Sequence, residues 1–481
     1  MDVYNKMANS LKWSSITEVL VKIITPISNM ILARLLSPEE FGVIATITMV
    51  TSFTDVLTDA GFQKYIVQHE FKHERDFNNS TNVAFWSNLT LSFIIWFLII
   101  IFREPVATLV GSPGLGKAIA IAGISIPLTS FSSIQGARLK RNFRFQNLFA
   151  IRFGGLLIPL IITVPLAALN LSYWSLIIGT IIGNLYNAIL MTIVSKWKPT
   201  FYYKISLFKE MFSYCAWTLC DSLCVWLTAW IDIFFIGNVL DSYYLGLYKN
   251  SLSTVNGIFT LISASITPVL FAALSRLQDD KPKMVELFQM TQVMLSVFTV
   301  PLGIGIYIYR DFVTGILLGA KWEEASFIIG IWALACVCRE TFVRINSELY
   351  RASGRPKMPF FLQMLDLTCL LPVCIYGLRI GFWNFVILRA VCRLDLIIPN
   401  FIILKTKYNA KYKGYIPVFG AVLVAAGIMA LLGLWSVHHF TNNVVLLISI
   451  IVCMIVYFGL LALIPCTRNE LKKLISAVRK E

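Results

Sequence analysis

Charge is what this sequence has least of. Only 14% of its 481 residues are Asp, Glu, Lys or Arg, against roughly a quarter in soluble domains. With 57% hydrophobic residues, a water-soluble chain of this length could not cover its apolar surface. Lipid as solvent removes that requirement. No secretory leader is expected either, because Met1 to Ser10 is polar and has no apolar core followed by a small-residue cleavage site. The first apolar helix is therefore expected to insert and remain. No Walker A loop is present, which argues against direct ATP hydrolysis. The net charge of +15 could suggest a polyanion partner, but the cations fall in short clusters between apolar runs. That pattern orients a membrane protein rather than gripping nucleic acid. Cysteines such as Cys220 and Cys224 sit inside apolar runs, where they pack as small hydrophobes.

What is there is a succession of apolar stretches of spanning length, about 20 residues each. They fall near 13–36, 42–66, 80–102, 117–135, 147–168, 173–194, 213–237, 245–271, 286–309, 324–344, 359–378, 382–404, 415–435 and 444–465. The expected fold is all-α and polytopic, with about fourteen transmembrane helices. Alternate loops differ sharply in Lys and Arg, roughly 27 against 6, which puts both termini in the cytoplasm. An internal repeat is also readable. "LLSPEEFGVI" at 35–44 aligns without gaps on "VLDSYYLGLY" at 239–248, pairing Leu36 with Leu240 and Gly42 with Gly246. "REPVATLVG" at 103–111 aligns with "RDFVTGILLG" at 310–319 with one insertion. A shift of six helices keeps orientation, so two six-helix lobes related by a pseudo-two-fold axis along the membrane normal are expected, plus two extra C-terminal helices. The expected divisions are 1–195, a basic interfacial linker 196–212, 213–410, and 411–481.

"ILARLLSPEEFGVIA" followed by "DAGF" (Asp59 to Phe62) resembles the start of polysaccharide-repeat-unit flippases of the multidrug/oligosaccharidyl-lipid/polysaccharide exporter superfamily. "WIDIFFIGNVLDSYYLGLY", "LFAALSRLQDD", "LLGAKWEEA" and "YRASGRPK" follow in that family's order. The resemblance covers essentially the whole chain. It implies a non-enzymatic transporter of the bacterial cytoplasmic membrane, with no cofactor. Its substrate would be an undecaprenyl-pyrophosphate-linked oligosaccharide, moved by alternating access on a proton or sodium gradient. A polysaccharide polymerase and a chain-length regulator are the implied protein partners. A lipid II flippase and a cation-drug antiporter of the same superfamily are the near alternatives, and a membrane-embedded polymerase is the alternative of another class. A polymerase should show a long outer loop, and no outer loop here exceeds about fifteen residues.

Ionisable residues inside spans are expensive and mark functional paths. Arg389 and Arg393 stand one turn apart near the middle of a span, on one face, and arginine's planar fork suits phosphate oxygens. With Lys22, Arg152 and Arg339 they are the candidates for holding a pyrophosphate or sugar. The competing reading is that the arginine pair locks helices together through Asp366, Asp395 or Asp232. Asp55 and Asp59, also one turn apart, could share a proton; with Asp232 and Asp366 they are the candidates for ion coupling. Glu18 and Lys22 read as an internal ion pair. His69-Glu70-Phe71-Lys72-His73 matches the H-E-x-x-H zinc signature. Its charged Lys72, its place in a short loop and the lack of a third histidine on that side argue for an ordinary solvated loop, with no metal. The lysine- and aromatic-rich stretch Lys196 to Phe212 reads as an interfacial segment facing anionic lipid.

Overall fold

The computed structural model describes residues 2–59, 61–355, 357–412, 414–465, 467 and 468. Lys413 and the tail cations Lys472, Lys473, Arg479 and Lys480, part of the charge count above, lie outside the described residues. Every regular element among the described residues is helical. Two compact units are present, Met1–Lys249 and Asn250–Glu481.

The first unit holds α1 (Asp2–Leu35), α2 (Pro38–Asp59), α3 (Phe62–Gln68), α4 (Glu74–Ile101), α5 (Arg103–Leu109), α6 (Gly116–Ala122), α7 (Ser125–Arg141), α8 (Phe145–Ala168), α9 (Trp174–Ser195) and α10 (Ile205–Val239). Within it, α8 packs on both α1 and α9, and α7 on α4 and α9. The next helix, α11 (Ser242–Arg276), runs from the first unit into the second. The second unit continues with α12 (Lys281–Ile308), α13 (Arg310–Leu317), α14 (Ala325–Arg339), a π turn Glu340–Arg344, α15 (Ile345–Ala352), α16 (Lys357–Ile380), α17 (Phe382–Cys392), α18 (Ile397–Tyr408), α19 (Ile416–His439) and α20 (Asn443–Leu463). Here α12 packs on α14 and α19, and α19 on α20.

Among the described residues, twelve helices are long and apolar enough to cross a membrane, against the fourteen spans expected. Two of the expected stretches, 245–271 and 382–404, are not among those twelve. The first turns of α11 carry Lys249, Asn250, Ser251, Ser253, Thr254 and Asn256, which lower its hydropathy. The stretch 382–404 is not one helix: α17 ends at Cys392, residues 393–396 form a turn, and α18 begins at Ile397. Irregular backbone at membrane depth is tolerated where it is buried in protein or lines a cavity. The outward faces are apolar as lipid contact requires. On α20, Val444, Leu447, Ile448, Ile451 and Ile455 are all exposed.

The repeat read in the sequence closes on itself at one point of the first unit. A Cβ at Gly42 would fall on the backbone oxygen of Ser242, and a Cβ at Gly246 on that of Pro38. Each glycine sits one turn into its helix and meets the first residue of the other, so α2 and α11 cross backbone to backbone. In the second repeated segment both copies end on a glycine of positive φ. Gly111 after α5 has φ 74° and Gly319 after α13 has φ 94°, a region that side-chain-bearing residues rarely adopt.

The expected linker 196–212 is extended in its first part and helical in its second. From Ile205 onward it is already α10, and its extended part is pinned to α4. Asn82 Nδ2 donates to Thr200 Oγ1 at 2.8 Å, the Thr200 N–H donates to Asn82 Oδ1 at 2.9 Å, and Trp86 Nε1 donates to the Thr200 carbonyl at 2.8 Å. Trp197 is buried beneath Arg138, whose guanidinium lies 5.2 Å from its ring.

Candidate functional site

In the second unit, a cavity of about 210 Å³ is lined by Arg339, Glu340, Arg344, Arg393 and Asn400, among others. Local backbone irregularities bring these groups together. Arg339 and Arg344 are five residues apart, which in an α-helix would turn them about 140° from each other. The π turn at Glu340–Arg344 absorbs the extra residue, and both side chains line the cavity. Such turns recur at functional sites. Arg393 enters from the break between α17 and α18, where the chain is not obliged to follow a helical path.

Two of the three guanidinium groups are already compensated. Arg339 grips Asp366 with both amino groups, Nη2 to Oδ2 at 2.5 Å and Nη1 to Oδ1 at 3.4 Å, and Asp366 is 2% exposed. Arg344 pairs with Glu340 at 3.0 Å, and Glu340 also accepts from Ser263 Oγ at 2.5 Å. Arg393 makes no ion pair within 4 Å among the described residues, and its Nε has no hydrogen-bond partner. Its guanidinium instead stacks on Trp332 at 4.3 Å. Arg389, mostly buried, lies over the same ring at 5.6 Å. The face shared by Arg389 and Arg393 is thus as the spacing predicts. Among the carboxylates read as their partners, Asp366 goes to Arg339, and Asp395 accepts the N–H of Leu396 at the start of α18. A helix N-terminus favours an anion there. The cavity therefore carries the uncompensated charge of Arg393 amid donors that suit phosphate.

The remaining candidates lie in the first unit. The Glu18–Lys22 pairing is corrected: Glu18 meets Arg152 of α8, at 3.5 Å, and both side chains are about half exposed. A turn-to-turn spacing permits a pair, but a neighbouring helix offers the planar guanidinium. Lys22 is half-buried. Asp55 and Asp59 line a cavity of about 430 Å³ with Lys64, Asn88, Thr129 and Ser130. Thr129 Oγ1 donates to Asp55 Oδ1 at 2.7 Å. Asp232, 3% exposed, accepts the Tyr248 hydroxyl at 2.7 Å and its neighbour's N–H at 2.9 Å. Tyr248→Phe is expected to lower the unfolding free energy in detergent by about 1.5–3 kcal/mol. An unchanged melting midpoint would show that the hydroxyl contributes nothing to holding Asp232.

The spacing of His69 and His73 is not realised on a helix. α3 ends at Gln68, residues 69–73 are irregular, and α4 starts at Glu74. The His69 ring stacks on Tyr65 with centroids 4.5 Å apart, and its carbonyl accepts from Arg141 at 2.7 Å. The zinc-helix geometry is therefore not formed.

Known proteins place this architecture. Teichuronic acid biosynthesis protein TuaB of Bacillus subtilis is 23% identical over 487 residues, covering 98% of both chains. Lipopolysaccharide biosynthesis protein WzxC of Escherichia coli is 19% identical over 431 residues, covering 86% of this chain and 84% of its own. Among solved structures, the lipid II flippase MurJ in an inward closed conformation superposes with a TM-score of 0.77 at 17% identity, covering 94% of this chain and 98% of its own. An inward-facing multidrug transporter of the MATE family superposes with a TM-score of 0.61 at 13% identity, covering 82% and 98%. These two likenesses establish the fold. The family model described as polysaccharide biosynthesis protein matches residues 31–327, well over half of the chain, and the chain belongs to that family.

Proposed function

We propose that this multi-pass membrane protein moves an undecaprenyl-pyrophosphate-linked oligosaccharide from the inner to the outer leaflet of a bacterial cytoplasmic membrane, by alternating access. Both termini face the cytoplasm, and a proton or sodium gradient drives the cycle. The observation that carries the reading is Arg393, a guanidinium at a helix break whose charge no carboxylate among the described residues neutralises within 4 Å, opening into a cavity with Arg339 and Arg344. A charge left in this state inside a membrane protein is costly unless an anion completes it. The kinship with proteins named for teichuronic acid, lipopolysaccharide and succinoglycan biosynthesis supports a glycan precursor as that anion. Among the carboxylates, Asp55 and Asp59 are the preferred ion-coupling pair. Asp232 and Asp366 already have protein partners.

Deleting the gene is expected to trap a lipid-linked oligosaccharide in the inner leaflet. Complementation with Arg393→Glu or Arg389→Glu should restore export at least tenfold less well than the natural chain, a loss in line with one charge-assisted contact, while membrane insertion is unchanged. Full export by both reversed variants would remove the arginines from the site. Failure of any lipid-linked saccharide to accumulate on deletion would count against the flippase itself.

A further inference from the structure

We propose that the hydroxyl-lined cavity of the first unit binds the saccharide, and that it selects neutral or amino sugars over uronic acids. This assignment rests on the flippase reading and adds the chemistry of the cargo to it. The cavity is walled by α2, α3, α4, α7 and α10, and its lining is rich in Ser and Thr, with Gln63 and Asn88 as side-chain amides. Hydroxyl and amide groups both donate and accept, as sugar hydroxyls do. At about 430 Å³ the cavity falls within the range of small-molecule sites. A lone monovalent cation would leave most of it empty.

Two buried side chains are left incomplete at this wall. Asn88, 1% exposed, donates from Nδ2 to Ser133 Oγ at 2.8 Å, yet its Oδ1 has no partner. Ser130, 2% exposed, has no partner for its Oγ among the described residues. Buried polar atoms are almost always paired, so these two point to a ligand that completes them. Both line the cavity that also holds Asp55 and Asp59. The carboxylates accept only, which suits ring hydroxyls and the N–H of an amino sugar. Against two carboxylates the lining offers one amine, Lys64, and a second amine behind it, Lys140, is engaged with Gln63 Oε1 at 3.5 Å. A uronate would add a third negative charge, and such like-charge juxtaposition is how a site rejects the wrong ligand.

The test uses the full chain in liposomes with two probes, undecaprenyl pyrophosphate carrying a neutral trisaccharide or the same trisaccharide ending in glucuronate. Exposure of the sugar to an impermeant oxidant reports translocation. The natural chain should move the neutral lipid faster. Ser130→Ala should slow it about five- to tenfold, the effect of one hydrogen bond. It should leave the melting midpoint unchanged, because that hydroxyl bonds nothing in the protein. Asp55→Asn should narrow the preference between the two lipids. Ser130→Ala at the natural rate, or no preference in the natural chain, overturns the saccharide site and leaves the flippase standing. An unaltered sugar preference in Asp55→Asn, whatever happens to its gradient dependence, shows that the carboxylate does not read the sugar and also overturns it. A natural chain that moves neither lipid overturns the flippase reading instead.

Discussion

Arg339→Leu is expected to cost about 3–5 kcal/mol of stability, the penalty for stranding a buried charge. Asp366 is 2% exposed and meets Arg339 through a two-point contact. Leucine there leaves the carboxylate with neither water nor a guanidinium. It must then stay charged in an apolar site or take up a proton, and both routes weaken the fold. The double variant Arg339→Leu, Asp366→Leu removes the stranded charge and should recover most of the loss, because buried ion pairs exchange for apolar pairs at little net cost. Thermal unfolding of the four proteins in one detergent measures the cycle. A double variant as weak as the sum of the singles would mean that the two residues do not act as a pair.

Gly246→Leu should be nearly as damaging, at about 3 kcal/mol, the upper range for overpacking a close contact. The added Cβ lands on the carbonyl of Pro38, which is backbone and cannot rotate away. The helices must part or the turn must deform. Gly246→Ala and Gly42→Ala should each cost less, about 1–2 kcal/mol. Their double variant should cost less than the sum, since one separation of α2 from α11 relieves both clashes. Melting midpoints of the three alanine variants decide this. Strict additivity would show that the two glycines yield independently.

Much of the helical plan was legible because lipid demands long apolar runs, and the runs are long. The same solvent hides the interruptions. Residues 393–396 are Arg, Leu, Asp and Leu, and the one helix-start signal nearby is Pro399 in the first turn of α18, which the reading of 382–404 as one span leaves out of account. Arg389 and Arg393 could be paired by a spacing of four because α17 keeps its period up to Cys392. Arg344 could not be joined to Arg339 by spacing, since only the π turn brings them to one cavity. Nor could Trp332, which comes from another helix to lie beneath both arginines. The acidic pair Asp55 and Asp59 was visible, whereas its neighbours Asn88, Thr129 and Ser130 arrive from α4 and α7 and look like ordinary helix residues. Where the sequence suggested a pair and the fold chose otherwise, as at Glu18, a cation from the adjoining helix stood closer to hand.

The crossing of α2 and α11 has a further consequence. Pro38 and Gly42 map onto Ser242 and Gly246 by one constant offset along the chain, and each glycine meets the other segment's first residue. A contact with that reciprocity is isologous, the kind two identical chains make across a dyad. Had a chain of half this length paired with its twin through that patch, every substitution in it would have been felt twice. Once both copies lie on one polypeptide, each side can change alone. Proline on one side and serine on the other are what that freedom allows, while the two glycines, with no room for a side chain, are what it does not.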